Sequence, residues 1–239
     1  MQRARPVGQA YLLTGNERWA KVAKKVLSQW MQENPCGYGV NWACTMEVAM
    51  RIFTWTWLFH AFHASPIWDD PDFRGDFLSM LYQHGRYTDQ YLEYSDINGN
   101  HCTADAAGLV WCGLFFGQGR AAQRWAKQGW RLLEDELPKQ VTRDGVDFEA
   151  SVPYHRLVAE LFFLAGQYQE QAGGTVSANY RARVLEMGRF IQAYSDQAGD
   201  LRSEGDADDG RTLPLEFATS DGSPLPGRAD GCTFGTMRN

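Results

Sequence analysis

The sequence has no block of Lys and Arg, and its net charge is −6. A nucleic-acid role therefore has little support. An acidic protein can still take up a polyanion through a locally basic cleft, so acidic polysaccharides are not excluded. The five cysteines, Cys36, Cys44, Cys102, Cys112 and Cys232, form no CxxC pair, and their number is odd. Both facts argue against a zinc ribbon and against a complete disulfide framework. They read as buried thiols, packed as small hydrophobes. No stretch approaches the ~20 apolar residues of a membrane span. Residues 1–15 carry Arg3 and Arg5 but no sustained apolar core or cleavage site, so no signal peptide is expected there. Strand-like alternation and sharp internal repeats are missing too. Asp206, Asp208 and Asp209 lack EF-hand spacing, so no metal is expected on them, and nothing calls for a cofactor.

What the sequence does have is apolar and aromatic bulk. Hydrophobic residues make up 44%, aromatics 13%, and nine are Trp, enough for a sizeable core. The apolar positions recur with helical period. Trp19, Val22, Ala23, Val26, Leu27, Trp30 and Met31 form one stripe, opened by Asn16 as N-cap and stopped by Pro35. A short helix over 2–13 precedes it. Residues 42–63 predict a third helix, apolar on most sides. Asp70 and Pro71 open a fourth that reaches toward Tyr91. Further helices are expected over about 101–116, 119–137, 151–171 and 178–194, with Asp144-Gly145 as a turn in an irregular link. The fold class is therefore all-α, with about eight helices in stacked αα-hairpins forming a solenoid or ring. After Tyr194 the chain is polar, rich in Gly and Pro, and reads as loop.

Two polar clusters open onto apolar helices. One is Asn98-Gly99-Asn100-His101. The other is DGVDFEASVPYH, residues 144–155. Asn98 reads as a turn residue. Glu47 and Arg51 lie four apart on one helix face and suit an ion pair. In a ring of hairpins, both clusters would line one concave face.

The segments NWACTMEVAMRIFTWTW, NGNHCTADAAGLVWCGLFF, DGVDFEASVPYHRLVAELFF and GDADDGR, in this order, resemble the toroid domain of the heparinase II/III-like polysaccharide lyases, relatives of heparan-sulfate and oligoalginate lyases. The resemblance runs from about Val7 to Arg211. It implies an incomplete (α/α) toroid over 1–200. It also implies that 201–239 is an irregular segment leading toward a β-sandwich, with more helical sequence before Met1. It implies eliminative cleavage of a uronic-acid-containing polysaccharide and a periplasmic location. Asn100 would neutralise the substrate carboxylate, His101 would assist it, and Tyr154 would act as acid or as acid and base. A further His or Tyr would come from the β-sandwich domain or a second chain.

The chemistry gives these residue types a reason. Removing the C5 proton of a uronate loads negative charge onto its carboxylate, and amide or imidazole N–H donors stabilise that charge. A Tyr hydroxyl can give its proton to the leaving O4. Trp42, Arg51, Glu149 and His155 are the further candidates for substrate contact. Two alternatives stay open on the residues alone. One is an inverting hydrolase drawing its two carboxyls from Glu47, Asp144 and Glu149. The other is a non-catalytic glycan-binding chain.

Overall fold

The computed structural model describes residues 5–195 together with Gly205 and Thr212. The GDADDGR aspartates, Cys232 and nearly all of 201–239 lie outside the described residues. Among the described residues eight α-helices follow one another: α1 (Arg5–Thr14), α2 (Glu17–Glu33), α3 (Thr45–Phe62), α4 (Pro71–Gln90), α5 (Asn100–Phe116), α6 (Arg120–Gln140), α7 (Val152–Gln171) and α8 (Ala178–Tyr194). Among the described residues the sole extended pairing is one antiparallel bridge, Val141 to Asp147. The expected all-α stack of hairpins is what forms.

The helices sort into two layers. Each odd-numbered helix packs on the next odd one, α1 on α3, α3 on α5 and α5 on α7, and each also packs on the even helix that follows it. The inner helices α3 and α5 are apolar nearly all round, because both neighbours and the outer layer cover them. The outer helices α2 and α6 are strongly amphipathic and keep charged faces in water. The inner helices run parallel. Phe53 of α3 meets Trp111 of α5 with ring centroids 5.1 Å apart, and Trp111 Nε1 donates to Thr56 Oγ1 at 2.7 Å. Trp111 also meets Tyr168 of α7 at 4.6 Å. Contacts also join start to start, Cys44 beside His101 and Glu149 on Asn100, so the N-termini of α3, α5 and α7 share one rim.

Local sequence sets where most helices start. Asn16, Asp70, Ser151 and Ser177 each accept a backbone N–H of their own first turn. The third helix differs from expectation. It begins at Thr45, and Val40–Trp42 forms a separate 3-10 turn. The carbonyls of Asn41 and Trp42 are taken by the Arg51 guanidinium and the Tyr87 hydroxyl, outside any helical ladder. The sixth helix runs one turn past the expected stop, through Pro138, and Val141 N–H closes it on Leu137 O at 3.0 Å.

Small residues let the layers approach. A Cβ on Gly108 of α5 would lie 2.8 Å from Ala49 Cβ of α3, and one on Gly129 of α6 would lie 2.4 Å from Ala106 O of α5. The second obstacle is backbone and cannot swing away. Replacing Gly129 by Ala raises helix propensity by about 1 kcal/mol, but forced overpacking costs typically 1–3 kcal/mol. We expect Gly129→Ala to lower the urea midpoint. An unchanged or higher midpoint would mean the α5–α6 contact is looser than described.

Candidate active site

Three inner-helix N-termini meet at one rim, and the loops before them carry the polar residues. Helix α5 has no side-chain cap of its own, since its N-cap is Gly99. A distant carboxylate takes that place. Glu149, in the link before α7, accepts Asn100 N–H on Oε1 and Asn100 Nδ2–H on Oε2, each at 2.7 Å. The helix N-terminus favours this negative charge. Gly99 makes room for it, because a Cβ there would sit 2.0 Å from Glu149 Oε1. The fork also fixes the amide of Asn100, directing Nδ2 to Glu149 and using one of its two hydrogens.

His101 is exposed in the first turn of α5, and its Nδ1 lies 2.7 Å from Glu93 Oε2. Glu93 follows α4 and is itself anchored. Its backbone N–H donates to Asp105 Oδ2 at 2.9 Å, and its Oε2 accepts Met46 N–H at 3.3 Å. Cys44, the N-cap of α3, places Sγ 4.0 Å from His101 Nδ1. When Nδ1 carries the proton and donates to Glu93, a neutral ring leaves Nε2 as an acceptor.

Tyr154 is half-buried in the first turn of α7, and its N–H is held by Ser151 Oγ at 3.3 Å. Its helix is thus the one whose entry loop delivers Glu149 to Asn100. That entry is bent at Ala150, which takes φ 55 without being glycine. Such a backbone costs on the order of 1–3 kcal/mol and is kept only where the surroundings enforce it. Behind it, His155 is buried. Its Nδ1 accepts Asp147 N–H and its Nε2 lies 3.2 Å from Met187 O. Both bonds fit the neutral ring, and burial pushes its pKa down.

Three of the residues expected to contact substrate, Trp42, Arg51 and His155, lie in the interior. Trp42 is 1% exposed and lies in the core between His84 and Tyr87, so neither ring face is open to a sugar. Arg51 is 5% exposed. Its Nε donates to His84 Nε2 at 3.0 Å, its terminal nitrogen to Asn41 O, and the rings of Trp30 and Trp42 flank it. It ties α3 to α4 and the preceding turn. Burial lowers it to about 10, and Glu47 supports its charge from a distance without a direct bond. His155 is likewise interior and braces α7 against α8. Glu149 stays at the rim, bound to Asn100 as described. Of the remaining carboxyls weighed for hydrolysis, Asp144 is an exposed turn residue held by Thr142 Oγ1, and Glu47 is exposed on α3. Asn98 is the expected turn residue, its Oδ1 accepting Ser95 N–H at 2.8 Å.

Several buried carboxyls escaped sequence reading, Asp105 and Asp147 among them. Asp105 is 0% exposed and Asp147 2%, each with one oxygen unpartnered. Burial pushes Asp105 up to about 8 and Asp147 to about 6. An acid inside a helical apolar run, as Asp105 is, was the available signal. Elsewhere, a cavity of about 500 Å³ between α6 and α8 is lined by Glu134, Arg143, Tyr180 and Arg183 among others, and none of the rim residues line it.

The heparinase II/III N-terminus family model matches residues 1–195. A heparin-sulfate lyase of Pedobacter heparinus is 30% identical over 160 residues, covering 65% of this chain and 24% of that protein. One from Bacteroides stercoris is 28% identical over 178 residues, covering 66% and 26%. The chain thus spans about a quarter of the length of these curated relatives. Among solved structures, a heparan sulfate lyase of Pedobacter heparinus superposes with a TM-score of 0.65 at 25% identity, over 83% of this chain and 31% of that one. A heparinase III structure superposes at 0.69 and 20% identity, over 81% and 30%, and shows the fold alone.

Burial of Asp105 leads us to expect a stability that depends on pH. A carboxyl whose folded pKa is raised stabilises fully below its unfolded value, 3.8, and loses that contribution as pH rises through about 8. Relative to Asp105→Asn, the wild type should lose denaturant stability steadily between these limits. Parallel pH profiles for the two proteins would contradict this burial. Separately, Gly99→Ala should push Glu149 off Asn100 and destabilise by about 1–3 kcal/mol. A wild-type melting curve for that variant would count against the clamp.

Proposed function

The chain belongs to the heparinase II/III family, and on that premise we propose that its rim supplies the carboxylate-neutralising half of a polysaccharide lyase acting on a uronate-containing glycan. The observation that carries this reading is the clamped Asn100 at the N-terminus of α5, with His101 beside it. The relatives' names point to a glycan of the heparin-sulfate type.

In the proposed reaction a uronate carboxylate takes the second Nδ2 hydrogen of Asn100, and His101 donates to it from Nε2 when both ring nitrogens carry hydrogen, Nδ1–H staying on Glu93. A base removes the C5 proton. The electron pair forms the C4–C5 double bond, the C4–O4 bond breaks, and O4 leaves with a proton from Tyr154. While C5 is losing its proton, charge grows on the carboxylate, so donors fixed in advance lower the barrier most. Glu149 keeps the amide from rotating, and the helix field adds to its pull. A β-sandwich domain or second chain would complete the groove and supply the remaining catalytic group.

The test uses the full-length protein that carries this chain and follows ultraviolet absorbance of the unsaturated product. Asn100→Ala should lower kcat/KM by roughly 10²–10³. Tyr154→Phe should lower kcat by roughly 10²–10⁴ with KM little changed. Normal turnover in either variant would remove that residue from the mechanism. New reducing ends without the unsaturated chromophore would replace elimination by hydrolysis.

A further inference from the structure

Cys44, Glu93 and His101 each bring one donor atom to within 4.8 Å of the other two. They come from three separate segments: the cap of α3, the loop after α4 and the first turn of α5. We propose that this trio binds a divalent transition metal of borderline softness, zinc above others, through Cys44 Sγ, Glu93 Oε2 and His101 Nδ1.

Bond lengths of about 2.3 Å to sulfur and about 2.0–2.1 Å to nitrogen or oxygen place tetrahedral ligands about 3.3–3.6 Å apart. Here Sγ and Nδ1 are 4.0 Å apart, and Nδ1 and Oε2 are 2.7 Å apart. Small side-chain rotations bring both to the required spacing. The metal takes the place of the proton now shared between His101 and Glu93. The thiolate ligand argues against calcium and magnesium, which take oxygen. Outer contacts of the kind that orient metal ligands are in place, since Met46 N–H and Asp105 hold Glu93 from two sides. The Glu93 and His101 side chains are 32% and 54% exposed, so a fourth position faces solvent.

Binding releases the Cys44 proton, so affinity should rise with pH. A metal on Nδ1 also holds the ring proton on Nε2, the donor form. That consequence for turnover rests on the proposed lyase role of His101, whereas binding itself does not.

The probe is cobalt(II), titrated into the metal-stripped 239-residue chain and read by optical absorption, with zinc added afterwards as competitor. One ion per chain should bind, with a thiolate-to-cobalt charge-transfer band that zinc abolishes. Cys44→Ser should lose the band, Cys36→Ser should keep it, and Glu93→Gln should weaken binding by roughly tenfold or more. Circular dichroism checks that each variant is folded. Absence of binding, cobalt bound without the band, or a band that persists in Cys44→Ser would each overturn the site. Because no turnover is read, failure here leaves the lyase reading standing, and failure of that reading leaves the metal site standing.

Discussion

Parallel packing of the inner helices is the constraint on which the rest depends. Where α3, α5 and α7 lie side by side in one direction, their unpaired N–H groups and positive ends crowd one rim. Glycine and alanine at the crossings bring the backbones close enough for that crowding to matter. The rim then needs negative partners. Glu149 caps α5 across sequence, Glu93 receives Met46 N–H at the start of α3, and Ser151 caps α7. The proposed role rests on the donor these partners leave over, the second Nδ2 hydrogen of Asn100.

The buried acids behind the rim hold its loops in place. Asp105 reaches out of α5 to the backbone of Glu93, which grips His101. Asp147 holds Glu149 N–H at 3.0 Å, and Glu149 grips Asn100. Both arms start from a carboxyl that burial pushes toward its neutral form, and both end on adjacent residues of one helix turn. Arg51 and His84 do similar work deeper in, where burial lowers His84 to about 3 and keeps it neutral as an acceptor.

Helix number and order were legible because amphipathic stripes and caps such as Asn16 and Asp70 are local signals. The start of α3 was not, because Asn41 and Trp42 spend their carbonyls on Arg51 and Tyr87, partners distant in sequence. Helix α3 is apolar all round, so periodicity could not say which way Arg51 points, and Trp42 looked as available as any of nine Trp. Asn100, His101 and Tyr154 were singled out through motif resemblance alone. The structure brings Asn100 and His101 together with Glu149 and sets Tyr154 on the adjoining helix entry. Glu93 was silent, since nothing in a single sequence says which loop acid will meet which helix end, and Asp105 showed only as an acid in an apolar helix, with no sign of its partner.

The central claim is that the clamped amide of Asn100 receives a substrate carboxylate. Side-chain amide NMR during titration with a uronate-containing oligosaccharide tests it most directly. The account predicts that the Nδ2 hydrogens of Asn100 and the ring of His101 shift first and saturate together. Undisturbed Asn100 signals, with shifts confined to residues of the α6–α8 cavity such as Tyr180 and Arg183, would contradict it.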